Sequence, residues 1–122
     1  MQMPAIMGLA AEAAAHAATR QAIVARNVAN ADTPGFRPFD LAPFRPGRDA
    51  EMRATRPNHL GGSGGEAWRA RPVAGPLDPD GNGVALETEI LRATEAQRAH
   101  DRALSVYQAS VDILRAAIGR GR

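Results

Sequence analysis

A seam of heptad-spaced residues in the last third of this chain restricts its fold more than any other feature. Alternating steps of four and three from Leu86 reach Ile90, Ala93, Gln97, His100, Leu104, Tyr107, Val111, Leu114 and Ile118. A strand would alternate every second residue, and a helix lying on a broad core would carry a wider stripe. The narrow seam predicts a long helix paired with another helix, in this chain or in a neighbouring one. Asp80-Gly81-Asn82-Gly83 marks a turn before it, Glu87 and Glu89 suit its positive end, and Arg115 and Arg120 suit its negative end. Gly119 and Gly121 are expected to stop it. At 1.5 Å per residue, about 33 residues make a rod of roughly 50 Å, longer than a small globular domain encloses.

The partner within the chain is expected near the N-terminus. Met7, Ala10, Ala14, Ala17, Gln21, Val24, Val28 and Ala31 are also spaced three and four apart, on a segment rich in alanine. Alanine is the strongest helix former, and its small side chain lets a second backbone come close. Within the C-terminal seam Gln97 and His100 are polar: they are either a partly exposed pair or a device that fixes helix register.

Helix one has a strong stop. Pro34 cannot continue a helix and pushes Thr33 toward extended geometry, and Pro34-Gly35 suits the centre of a type II turn. On residues alone, Asn30 and Asp32 can be read as serving only the helix end and the turn. From Pro34 to Gly83 the composition changes: this stretch holds every proline except Pro4 and every glycine except Gly8, Gly119 and Gly121. So many breakers exclude a packed helical core, and a connection this long is a functional excursion or a disordered segment. Phe36, Phe39, Leu41, Phe44, Leu60, Trp68 and Val73 can support a small β-hairpin, with most of the excursion expected to be mobile in the isolated chain.

The expected fold is therefore mainly α. Residues 1–33 form an N-terminal helix and its joint, 34–83 a Pro/Gly-rich excursion that is partly disordered, and 84–122 a heptad helix. The two terminal helices pair in a coiled-coil-like manner. With 122 residues and 4% aromatics there is one modest core, packed chiefly by alanine. Two helices with one partner each bury little, so self-assembly or docking into a larger helical wall is expected to supply the rest.

Composition excludes several function classes. No run approaches the ~20 apolar residues of a membrane span, and the N-terminus does not read as a cleaved secretion signal. The net charge is only +2, yet the sequence has no lysine and no cysteine, so little titrates at alkaline pH and the calculated pI reaches 10.3. The arginines are interleaved with acids and lack aromatic stacking partners, which argues against nucleic-acid binding. His16, His59 and His100 are scattered, Ser63, Ser105 and Ser110 lack a nucleophile setting, and Gly61 to Gly65 does not have a phosphate-loop context. No catalytic, cofactor-binding or metal site is expected, and no cofactor.

The segment Arg26-Asn27-Val28-Ala29-Asn30-Ala31-Asp32-Thr33-Pro34-Gly35-Phe36 closely resembles the signature of flagellar basal-body rod proteins. Asp80 to Glu89, followed by a helix ending Ala116-Ala117-Ile118-Gly119, resembles the proximal members of that family, with Ala85 where an acidic residue is more usual. The resemblance implies a structural subunit exported unfolded by the flagellar type III apparatus and stacked helically into the periplasmic rod, where it transmits torque for motility. It implies as partners further copies of the chain and other rod subunits, membrane-ring and rod-adaptor proteins at the rod base, and the export apparatus, with neither nucleic acid nor direct membrane insertion.

In this reading Asn27, Asn30, Asp32, Thr33, Pro34, Gly35 and Phe36 form an assembly joint. Met7, Val24, Val28, Leu86, Ile90, Leu104, Tyr107, Val111, Leu114 and Ile118 form the helix-packing seam. The alternatives are another short rod protein of the same family and a soluble helical export chaperone or adaptor, which would be compact and stable where a free rod subunit would be partly unfolded.

Overall fold

The computed structural model describes residues 3–46 and 68–120. Two helices dominate it: α1, Met3–Ala29, and α2, Leu86–Arg120. Pro4 falls in the first turn of α1, where its missing N–H costs no intrahelical bond. Alanine-rich turns carry α1 to Ala29, and the chain then tightens, with Asn30 N donating to Arg26 O and Asn27 O, and Ala31 N to Val28 O. α2 runs through Gly119 to Arg120, so that glycine does not stop the helix as expected. Without a Cβ contact or a positive φ at Gly119, its cost is only the weak helix propensity of glycine.

The helices are antiparallel neighbours. Asn27, near the end of α1, meets Glu89 in the first turn of α2, and Gln21 meets Gln97 two turns further on. Between them lie two short strands, β1, Phe39–Asp40, and β2, Arg71–Pro72, paired antiparallel with Phe39 opposite Pro72 and Asp40 opposite Arg71. Val73 N donating to Pro38 O extends the ladder by one bond. The Gly61 to Gly65 run, Leu60 and the rest of residues 47–67 in the segment expected to be mobile lie outside the described residues.

The seam that closes α1 on α2 is not the stripe of large apolar residues. Ala10, Ala17 and Val24 of α1 are buried, and so are Glu89, Ala96, Ala103 and Ser110 of α2. Of the residues expected on the seam, Val24 is buried and Met7, Val111 and Leu114 are half-buried, while Val28, Leu86, Ile90, Leu104, Tyr107 and Ile118 are exposed. The cause is geometric. α2 carries two neighbouring heptad stripes; α1 offers small side chains, and the backbones close on the stripe that answers with small side chains in turn. Ser110 fits because its Oγ donates to Val106 O and so brings no unpaired hydroxyl.

The described part of the excursion packs on one side of the helix pair. His16 Nε2 donates to Ala42 O at 2.9 Å, and its ring packs against Phe44 and Trp68 at centroid distances of 5.5 and 5.7 Å. Arg20 and Asn27 hold β1 on the same side. The opposite side, where Gln21 reaches Gln97, carries Val28, Leu86, Ile90 and Leu104 in the open.

Candidate functional site: the joint between the helices

A helix that ends leaves carbonyl oxygens without intrahelical donors, and a chain that turns back must satisfy them. Asn82 adds donors from across the fold to the turn that follows α1. Its Nδ2 donates to Asn30 O at 2.9 Å and to Thr33 O at 2.6 Å, while its Oδ1 accepts from Val84 N at 2.8 Å. Asn82 is buried, so one side chain binds the outgoing end of α1 and the incoming end of α2 at once. Asn30 adds a local bond, Nδ2 to Arg26 O at 2.8 Å, and its Oδ1 accepts from Thr33 Oγ1.

Two turns are pressed together here. Phe36 N donates to Thr33 O, with Gly35 at φ 75°, as the third position of a type II turn requires. Gly81 N donates to Asp78 O, with Gly81 at φ 82°. Gly35 N then donates to Asp80 O and Gly83 N to Phe36 O, so the turns are tied to each other by their backbones. A Cβ on Gly81 would stand 3.3 Å from Gly35 Cα, which makes glycine the fitting residue for both space and φ.

Asn27 is the second clamp. Its Nδ2 donates to Phe39 O at 2.8 Å and to Glu89 Oε2 at 3.0 Å, and its Oδ1 accepts from Phe39 N at 3.0 Å. The amide is fully used and wholly buried. Glu89 is 1% exposed and accepts on its other oxygen from Arg92 Nη1 at 2.6 Å, so the buried carboxylate is paired with a cation and an amide.

From Glu89 a chain of alternating charge runs through α2, β1 and α1. Arg92 Nε lies 3.5 Å from Asp40 Oδ2, and Asp40 accepts from Arg20 Nε and Nη2 at 2.9 and 3.1 Å. Arg20 Nη2 also reaches Glu95 Oε2 at 3.1 Å. The Asp40 hydrogen bond raises the Arg20 guanidinium above its ordinary range, against the opposing effect of burial. Leu41 N caps the strand end by donating to Asp40 Oδ1.

The rod-signature residues thus gather in one place, though with unequal exposure. Asn27 is buried, Asn30 and Phe36 are half-buried, and Asp32, Thr33, Pro34 and Gly35 are exposed. The Phe36 ring lies 6.4 Å from that of Phe39, beside Arg26 stacked 5.5 Å over the Phe39 ring. Reading from sequence missed Asn82, Glu89, Arg20, Asp40 and Arg92. Asn82 reads as one more turn residue and Glu89 as a helix-dipole charge; the available signal was that Glu89 stands seven residues before Ala96 on a ladder continued by Ala103 and Ser110.

Chemically, the site holds a geometry. Among the described residues no three or more His, Asp or Glu are grouped to hold a metal ion, and no helix is long and apolar enough to cross a membrane. Asn30 Oδ1 and Asp40 are engaged by hydrogen bonds within the chain, as is the amide of Asn82. What this arrangement fixes is the angle and register at which two long helices leave one joint.

Residues 7–37, which span most of α1 and its turn, match the family described as flagella basal body rod protein. Over 111 aligned residues the chain is 35% identical to the flagellar basal body rod protein FlgB of Agrobacterium fabrum, with 83% of each chain covered. On this similarity the chain belongs to the flagellar basal body rod protein family, with FlgB-type members as its kin.

Proposed function

We propose that this chain is a structural subunit of the proximal part of the flagellar rod, passed through the flagellar type III export apparatus and stacked helically with its own copies and other rod subunits to transmit torque. In this reading it converts no substrate. Its location is the basal-body rod, in the periplasm, with membrane-ring and rod-adaptor proteins at the rod base as further neighbours.

The observation that supports this reading is the uncovered side of the helix pair. Leu86, Ile90, Leu104 and Tyr107 follow the heptad rule on α2 and are exposed, as is Val28 of α1, while the described part of the excursion packs on the side of Arg20. A sustained apolar stripe of this kind is stable in water when another helix covers it. Neighbouring subunits in a rod supply that cover, and the joint sets the direction from which they meet it.

The test is deletion of the coding sequence, with isolated basal bodies imaged by electron microscopy and swimming scored in parallel. Rings lacking rod and hook, restored by the intact gene but not by a Leu104→Asp copy, are expected. Intact rods and hooks in the deletion strain would overturn the proposal.

A further inference from the structure

The contact between α1 and α2 repeats with the heptad. Ala10, Ala17 and Val24 are buried at seven-residue intervals on one helix, and Glu89, Ala96, Ala103 and Ser110 at the same interval on the other. A slide of one heptad, about 10 Å along the axis, would place small residues opposite small residues again. Alanine carries no shape that distinguishes one register from the next, so the apolar part of this seam is close to degenerate.

The wholly buried polar side chains, Asn27, Glu89 and Asn82, are not degenerate, and they lie at one end. Glu89 occupies a ladder position that is otherwise alanine or serine, and it is the acceptor for the wholly buried Asn27 amide. Asn82, likewise buried, holds Asn30 O and Thr33 O. Slid by one heptad, Asn27 would face no carboxylate, Glu89 would be desolvated without its amide, and the Asn30 and Thr33 carbonyls would lose the Asn82 amide and keep only the N–H donors of their own turn. Gln21 and Gln97 also touch at 2.6 Å, but their bond is exposed and can be exchanged for water.

We propose that Asn27, Glu89 and Asn82 form a register lock: positioning residues that select one pairing of α1 with α2 from a set the alanine ladder would otherwise allow. Gln97, exposed, and His100, half-buried, the polar residues of the neighbouring heptad stripe, do not carry this role within the chain. The inference concerns the single chain and does not depend on the rod reading.

The natural absence of cysteine makes the test direct, since introduced thiols report position without background. In the full chain, Gln21→Cys with Gln97→Cys reports the native register, and Gln21→Cys with Leu104→Cys or with Ile90→Cys reports a shift of one heptad either way. A thiol crosslinker shorter than one heptad is used at high salt, which screens the partly solvated Arg20–Glu95 pair.

With the lock intact, only the first pair should crosslink. With Asn27→Ala, Glu89→Ala and Asn82→Ala combined, at least one shifted pair should gain yield comparable with the native pair while circular dichroism still reports helix. Glu89→Gln alone, with Asn27 and Asn82 in place, keeps an oxygen acceptor for Asn27 and should retain exclusive native crosslinking. Retained helicity with crosslinking confined to the native pair would overturn the proposal. Loss of helicity in the triple variant and also in Asn82→Ala alone would overturn it too, because a degenerate ladder should stay paired in a neighbouring register.

Discussion

Asn27 Nδ2 and Glu89 Oε2 stand 3.0 Å apart although 62 residues separate them in sequence, and both side chains are buried. One amide thereby joins the end of α1, the backbone of β1 and the first turn of α2. Removing the amide leaves a buried carboxylate with one partner fewer. Asn27→Ala is therefore expected to destabilise the fold by roughly 2–4 kcal/mol, and Glu89→Gln by less, since glutamine still accepts from Asn27. Urea denaturation followed by helix signal checks the order of the two variants.

The two heptad stripes of α2 should respond differently to the same change. Ala103→Asp places an unpaired carboxylate against α1, where Ala103 is 6% exposed, and should abolish helix pairing in the free chain. Leu104→Asp changes a neighbour that is 48% exposed, and should leave the helix signal of the free chain within about 0.5 kcal/mol of wild type. If Leu104→Asp unfolds the free chain as fully as Ala103→Asp, the assignment of the two faces is wrong.

The glycine pair at the joint offers a graded comparison. Gly81→Ala meets Gly35 Cα at 3.3 Å and keeps an unfavourable φ, so a loss of about 1–3 kcal/mol is expected. Gly35→Val carries the φ cost with a β-branched side chain and should also weaken the joint. Gly75→Ala has open space and no positive φ, and should be neutral or slightly stabilising. Thermal melts of the three variants read this order directly.

Arg20 binds both oxygens of Asp40 through Nε and Nη2, a geometry lysine cannot reproduce. Arg20→Lys should cost about 0.5–1.5 kcal/mol, a modest figure because the pair is partly solvated. Its pH dependence follows from the raised guanidinium pKa. A group whose pKa is raised on folding contributes fully below its unfolded pKa and loses that contribution only as pH climbs through the folded value, which here is strongly alkaline. The contribution of the Arg20 cation should stay constant from pH 7 to about 10. A marked loss of the wild-type advantage over Arg20→Lys within that range would contradict this pairing.

Much of this fold is written in local rules that act over a few residues. Heptad spacing from Leu86 to Ile118 and the alanine-rich stripe from Met7 to Ala31 determined two long helices, because helix periodicity depends only on neighbours three and four apart. Pro34-Gly35 determined the turn, because φ preferences belong to single residues. Tertiary structure alone decided which face of α2 meets α1. The exposed stripe holds Leu86, Ile90 and Leu104 and attracts any reading by hydrophobicity, yet closure went to Ala96, Ala103 and Ser110. Small side chains permit the close approach, and only the approach lets Glu89 reach Asn27. Asn82 shows the same division: its type announced a turn, but the carbonyls it holds, Asn30 and Thr33, come within reach only when distant segments meet. A hydrogen bond needs a partner within about 3 Å, and long-range proximity is a property of the folded chain rather than of any stretch of its sequence.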